Sequence, residues 1–392
     1  MRDVVIVGYA RTPIGDYFGA LKDFTAVDLG VIALKAAIEK AGVEPDHIEE
    51  VVGGHIYQAG CKGNTARQVA LGALCSVQTV ASTINQQCAS SLRATEILAH
   101  EIMLGKVDVG AAVGYESMTN VPYLLPKARS GYKMGNGEVV DSLLNDALID
   151  AFNNYHMGIT AENLAERYDI SRQVQDNFAL LSHERACRAM KEGKFKQEIV
   201  PIEIKTKKGT LVFDKDEHPR PEINLASLAA LRPAFKKNGT VTAGNASSIN
   251  DGAAALIMMT GEKAKEYGLK PLARIVATAS ASVDPEIMGI GVVPAVEKAL
   301  KFANLEIDDI GYWELNEAFA AQFLAVNHEL KLDIDKVNAN GSGISLGHPV
   351  GCTGIRLLIS LINEMQSRDV KYGCASLCSG GGPAAAMIIE SL

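Results

Sequence analysis

The chain has 392 residues, 47% of them apolar and 21% charged, a length sufficient for two or three compact domains. Lys and Arg number 38 against 46 Asp and Glu; the net charge of −8 argues against a sequence-independent nucleic-acid binder but leaves room for a local basic site for one small anion. No run approaches the roughly 18 to 20 apolar residues of a membrane span. The opening Met1-Arg2-Asp3 passes directly into Val4-Val5-Ile6-Val7, strand-like sequence in place of a signal peptide, so the cytoplasm is the expected compartment.

In chain order, 4–7 reads as a buried strand, and Val27, Val31, Leu34 and Ile38 form a helical stripe closed by Gly42. A strand edge at 48–52, a helix over about 65–74, a strand over 79–84, a helix over about 90–104 and an apolar run at 107–113 follow. Alternating strands and helices predict a layered α/β core with mostly parallel strands. The last third repeats the order: 273–276 answers the first strand, 292–302 is again a helix, and Asp308-Asp309-Ile310 resembles Asp46-His47-Ile48. Val337-Asn338 then precedes a glycine-rich turn and a helix, and 373–377 matches 107–113. Two duplicated halves are the simplest account. The intervening 119–238 is richer in charge and turn residues, includes the run Lys205, Lys207 and Lys208, and carries helices over 160–167 and 174–192. The expected organisation is an N-terminal half at 1–118 completed by about 239–270, an inserted loop domain at 119–238 that serves binding, and a C-terminal half at 271–392.

Seven cysteines, Cys61, Cys75, Cys88, Cys187, Cys352, Cys374 and Cys378, make no disulfide framework and include no C-x-x-C pair, and no metal site is expected. Cys88, in Asn85-Gln86-Gln87-Cys88-Ala89-Ser90-Ser91, falls where a strand ends and a helix opens; N–H groups and the helix dipole there favour thiolate, which makes it a candidate nucleophile, although an isolated cysteine is more often a small buried hydrophobe. The equivalent turn of the second half presents His348 among Gly341, Gly343, Gly347 and Gly351. Its glycine spacing is one residue too long for a dinucleotide fingerprint, and no acidic residue follows about 20 positions on, so a nicotinamide site is disfavoured. Histidine is suited to take a thiol proton near neutrality. Cys378 precedes Ser379-Gly380-Gly381-Gly382, where backbone N–H groups can converge on an oxyanion, and Asn316-Glu317-Ala318-Phe319 follows the strand at 312–315.

Together, Asn-x-x-Cys-x-Ser, Asn-Glu-Ala-Phe, Gly-His-Pro-x-Gly and Cys-x-Gly-Gly-Gly resemble the thiolase family in order and spacing over nearly the whole chain. The resemblance implies a duplicated five-layered α/β/α/β/α core with an inserted loop domain that binds coenzyme A. It implies that Cys88 carries the acyl group, His348 activates it, and Cys378 exchanges a proton with the α-carbon of the acetyl thioester. Asn316 would position a water that forms one oxyanion hole with His348; the N–H groups of Cys88 and Gly380 would form the other. His156-Met157 resembles short-chain acetoacetyl-CoA members, with Met157, Phe235, Met288 and Phe319 lining a small acyl pocket. Ala243 to Ser247 matches the pantetheine contact, and Arg220 and Ser227 match positions near the nucleotide. Arg129 and Lys133 lie in a segment similar to a tetramerisation loop, implying a homotetramer built as a dimer of dimers.

The expected partners are acetyl-CoA, acetoacetyl-CoA and CoA, bound as substrates with no permanent cofactor, no nucleic acid and no membrane. Competing readings are a thiolase of broader acyl range, a ketoacyl synthase, against which Cys378 speaks, and a non-catalytic lipid carrier. Ser91, Ser248 and Ser342 stand where the family commonly has glycine, and Cys352 where it has alanine. Serine would be costly there if the backbone has positive φ.

Overall fold

A computed structural model describes residues 2–207 and 209–392; Met1 and Lys208, the last of the lysine run, lie outside the described residues. Its main sheet has 10 strands: the short Gly15–Asp16 pairs on the flank of Asn250–Met259, and the other nine read alike outward from the middle. On one side Val5–Arg11 pairs antiparallel with Asn250–Met259, which pairs antiparallel with Val109–Ser117; Glu50–Gly54 and Val80–Ile84 then run parallel. On the other, Ala273–Ser282 pairs antiparallel with Pro383–Ser391, which pairs antiparallel with Tyr372–Cys378; Tyr312–Leu315 then runs parallel. The fifth strand of this second fan is reduced to the parallel bridge from Trp313 to Val337. Among the described residues, the register pairs that join the fans are Val5 with Arg274 and Ile6 with Ala273.

The expectation of mostly parallel strands is therefore corrected: antiparallel pairings predominate. The cause is two strands that the sequence pattern did not show, Asn250–Met259 and Pro383–Ser391. Each carries a run of three alanines, Ala253-Ala254-Ala255 and Ala384-Ala385-Ala386, with no apolar alternation to separate strand from buried helix.

Side-chain alternation along the strands sorts most of the interior into three large clusters, which gives five layers. Val5 and Val7 face outward to the Ala26–Ala41 and Thr65–Gly72 helices, whereas Val4 and Ile6 face the central layer formed by Ser90–Met103 and Thr353–Arg368. Likewise Ala385 and Met387 join the central layer, while Ala384 and Ala386 face Val292–Ala303 and Ala320–Leu330. The first helix is fixed by a capping box between Thr25 and Asp28 and ends at left-handed Gly42. Its buried face centres on Leu29, Ala33, Leu34 and Ala37; Val27 and Val31 of the expected stripe are only half-buried.

The stretch 119–238 holds two small antiparallel hairpins, Tyr123–Leu124 with Val140–Asp141 and Ile202–Thr206 with Gly209–Phe213. Its helices Met157–Arg167 and Arg172–Glu192 send Met157, Leu164 and Phe178 into the outer core of the second fan. Residues 125–139 are exposed throughout. Among the described residues, no helix is long and apolar enough to cross a membrane.

Candidate active site

Cys88, His348, Cys378 and Gly380 line one cavity of about 510 Å³. The backbone ahead of the cysteine turns sharply: Gln87 has φ 49°, and Ser90 Oγ donates to Gln87 O (2.6 Å) while accepting from Gln86 N–H (2.9 Å). Ser379 fastens this turn to the strand carrying Cys378, because its Oγ accepts from Ala89 N–H and donates to Gln86 O, both at 2.9 Å. Gly381 and Gly382 then adopt φ of 85° and 103°, a course that leaves Gly380 N–H directed at the Cys88 sulfur.

The helix itself starts at Ser90, and the expected thiolate preference of Cys88 is reversed. Burial pushes its thiol up to about 11, against the opposing pull of the N–H groups of Gly380 and Cys88. The first N–H groups of the turn are already spent, Ala89 on Ser379 and Ser90 on Gln87 O (2.9 Å), so little of the helix terminus acts on the sulfur. Burial, then the neighbouring Cys88, raises Cys378 well above the thiol range.

Burial, with Arg356 nearby, pushes His348 down to about 3, so it is a neutral imidazole. Thr353 Oγ1 lies 2.6 Å from His348 Nδ1 and donates its own proton to Pro349 O at 3.1 Å. The hydroxyl therefore accepts from Nδ1–H, leaving Nε2 as the basic nitrogen. Asn316 Nδ2 donates to that Nε2 at 3.4 Å, and the buried Asn316 Oδ1 has no hydrogen-bond partner among the described residues. Asn316 sits behind the cavity wall, held by Asn338, whose Nδ2 donates to Leu315 O (2.7 Å) and Glu317 Oε1 (3.0 Å) and whose Oδ1 accepts from Leu315 N–H (2.9 Å). A neutral thiol, a neutral imidazole and a second thiol are suited to moving one proton at a time, with backbone N–H groups ready for an oxyanion.

Of the expected binding residues, His156, Met157, Arg220, Phe235, Ala243, Ser247, Met288 and Phe319 line the same cavity. Ser227 lines a neighbouring cavity of about 380 Å³ that shares His218, Arg220, Ala243 and Ala246 with the first. Ser227 is also engaged in capping the Leu225–Ala229 helix. Phe235 stacks on His156 at 4.4 Å and meets Phe319 edge-on at 6.1 Å. Met157 packs over Gly380 so closely that a Cβ there would stand 2.9 Å from its Cε.

The serines that replace usual glycines are unstrained, since none has positive φ. Ser91 Oγ accepts from Ile355 N–H (3.1 Å), Ser248 Oγ donates to Asn250 Oδ1 (2.7 Å), and Ser342 Oγ accepts from Arg356 Nη2 (2.9 Å). Cys352 is buried in the central layer. Sequence reasoning missed Asp16 and His218, which line the cavity and lie 2.7 Å apart, and the positioning groups Thr353, Ser379 and Asn338. Thr353 alone carried a signal, as the first residue of the helix after Gly-His-Pro.

Residues 4–262 match the model of the thiolase N-terminal domain and residues 269–391 that of the thiolase C-terminal domain. The chain is 49% identical to acetyl-CoA acetyltransferase of Escherichia coli K12, with 100% of both chains covered. It superposes on the solved acetyl-CoA acetyltransferase of Syntrophomonas wolfei with a TM-score of 0.98 at 48% identity, covering 100% of each. Human mitochondrial 3-ketoacyl-CoA thiolase gives a TM-score of 0.97 at 43% identity, over 100% of this chain and 99% of that one. With both domain models spanning nearly its whole length, the chain belongs to the thiolase family.

Proposed function

We propose that this thiolase is an acetyl-CoA C-acetyltransferase that condenses two acetyl-CoA into acetoacetyl-CoA and CoA and catalyses the reverse thiolysis. The observation that carries the reading is the convergence of Cys88, His348, Cys378 and Gly380 on one cavity that Met157, Phe235, Met288 and Phe319 also line. Coenzyme A thioesters are the substrates, and no permanently held cofactor is part of the reading.

His348 Nε2 takes the Cys88 proton as the sulfur attacks the thioester carbonyl, and the N–H groups of Cys88 and Gly380 receive the developing oxyanion. Collapse expels CoA thiolate, which takes the proton back from His348 and leaves acetyl-Cys88. Cys378 passes its thiol proton to His348 Nε2 and, as the thiolate so formed, removes the α-proton of the second acetyl-CoA, with the Nε2–H of His348 and a water positioned by Asn316 facing the enolate oxygen. The enolate carbon attacks acetyl-Cys88, the C–S bond breaks, and the Cys88 sulfur takes the proton held on His348 Nε2, which leaves both thiols and the imidazole neutral. Because both thiols are raised at rest, proton transfer accompanies attack and no standing ion pair precedes it.

The segment 119–238 serves as the CoA-binding loop domain between the halves 1–118 with 239–270 and 271–392. Arg220 and Ser227, both exposed at the second cavity, suit the nucleotide end, where a guanidinium favours phosphate. The exposed 125–139 segment, with Arg129 and Lys133, is suited to join dimers into a homotetramer. The cytoplasm is the proposed compartment.

Thiolysis rates over a series of 3-ketoacyl-CoA chain lengths test the assignment. Activity confined to the four-carbon substrate is expected; a flat or rising profile would instead establish a broader 3-ketoacyl-CoA thiolase, the reading favoured by the likeness to the human mitochondrial structure.

A further inference from the structure

The role given to His348 requires its ring to hold one pose, and its ring contacts, Thr353 and Asn316, fix only the plane's two nitrogens. The backbone of His348 is held separately, by a side chain outside every motif. Asn250, fully buried at the start of its strand, accepts His348 N–H on Oδ1 at 2.9 Å. The same oxygen accepts from Ser248 Oγ at 2.7 Å, while Nδ2 donates to Gly15 O (3.1 Å) and Asp16 Oδ1 (3.2 Å). All four hydrogen-bonding positions of the amide are thus used, and a flipped amide would set N–H against N–H and oxygen against oxygen. The preceding Gly347 has φ 98°, and a Cβ on it would stand 2.6 Å from the Asn250 amide, so the chain entering His348 lies directly on this side chain.

Two of the amide's partners face the substrate. Ser248 and Asp16 line the cavity with His348, and Asp16 Oδ1 also meets His218 Nδ1 at 2.7 Å. Ser248 is one of the serines standing where the family resemblance leads to an expected glycine, which has no hydroxyl to make this bond.

We propose that Asn250 is the positioning residue that sets the pose of His348, and that the cavity-lining Ser248 and Asp16 aim it. Asn250 touches neither substrate nor the reacting sulfur; it acts through the His348 backbone. Loss of the amide leaves His348 N–H unpaired and gives Gly347 room to sag, so the ring moves relative to Cys88 while the acyl and CoA contacts stay in place. This inference rests on His348 being the base for Cys88.

The test compares wild type and Asn250→Ala in steady-state thiolysis and, without any thioester, in the rate of iodoacetamide alkylation at Cys88 read by peptide mass. A displacement of the base by about an ångström predicts a kcat loss on the order of 100-fold with KM little changed, and Cys88 alkylation slowed at least about tenfold. A folded variant with unchanged kcat and alkylation, or with its whole loss in KM, would overturn the proposal. Should Asn250→Ala fail to fold, Ser248→Ala removes one bond to the same amide: a few-fold loss in kcat and alkylation, restored by Ser248→Thr, is expected, and no loss would overturn it. The alkylation assay does not depend on substrate identity, so failure of the acetyltransferase assignment, seen as absent thiolysis by wild type, is distinguishable from failure of this inference.

Discussion

The duplicated halves allow the reaction site to be compared with its own counterpart. Leu315 pairs with Ser376 as Gly54 pairs with Gly114, so Asn316 and Cys378 occupy the positions that His55 and Glu116 occupy in the other half. Cys88 lies two residues before its helix, as Gly351 does before Thr353. In the counterpart the carboxylate is well engaged: Glu116 accepts from the N–H groups of Ile56 (3.2 Å), Tyr57 (3.1 Å) and Gly351 (3.0 Å) and stands 3.2 Å from His55 Nε2, which itself has no hydrogen-bond partner among the described residues. His55 Nδ1 in turn reaches Thr65 Oγ1 at 3.0 Å. In the reaction site, two thiols and a neutral imidazole meet an amide whose Oδ1 has no partner among the described residues. One backbone frame thus yields a strut whose carboxylate is held by three N–H groups on one side and an open cavity on the other. Saturation serves stability, and the groups left over serve chemistry.

Substitution at paired positions should separate those two roles. Asn316→Ala is expected to lower kcat by about 10²- to 10³-fold, the cost of losing the water it positions at the oxyanion, with the urea midpoint almost unchanged. Glu116→Gln should do the reverse, lowering stability by about 2 to 3 kcal/mol through loss of charge-assisted bonds from buried N–H groups while the folded enzyme keeps most of its kcat. If both variants lose activity and stability together, the division between strut and site fails.

Acid should reveal a second strut. Burial, then His218 and Arg220, pushes His183 down to about 3, whereas the unfolded chain protonates near 6.5. The folded form binds the proton less readily, so this contribution is complete above about pH 6.5 and is lost as pH falls toward 3. At pH 5 the loss from His183 alone is about 2 kcal/mol, and His348 adds a loss of the same sign. Urea unfolding at pH 7.5 and pH 5 should show that difference shrinking by about 2 kcal/mol in His183→Gln; a difference equal to that of wild type contradicts the assignment. The smallest expected effect is at Ser342, which takes a bond from the buried Arg356 and donates to Leu315 O at 3.2 Å, directly before Asn316. Ser342→Gly should cost about 1 kcal/mol in urea unfolding with kcat retained; a large fall in kcat would place Ser342 on the catalytic side of the comparison.

How much of this was legible follows from the physics of each feature. The turns bearing Cys88, His348 and Cys378 announce themselves because glycine and helix-start residues mark where a chain can expose a reactive group. The antiparallel strands Asn250–Met259 and Pro383–Ser391 did not, because alanine runs buried on both faces carry no period. The acidity of Cys88 was misjudged in sign, since whether a helix terminus acts on a sulfur depends on which N–H groups Ser379 and Gln87 have already taken. Asn250, Asn338 and Ser379 act through contacts with residues far away in sequence, and a single polar residue beside a strand gives no local sign of that.

The central claim is that Cys88 carries the acyl group and Cys378 is needed only after acylation. Incubating Cys378→Ala with acetyl-CoA and locating the modification by peptide mass tests it directly. The account predicts one acetyl group per chain, on Cys88, accumulating without acetoacetyl-CoA and absent from Cys88→Ala. No adduct, or an adduct on another residue, would contradict it.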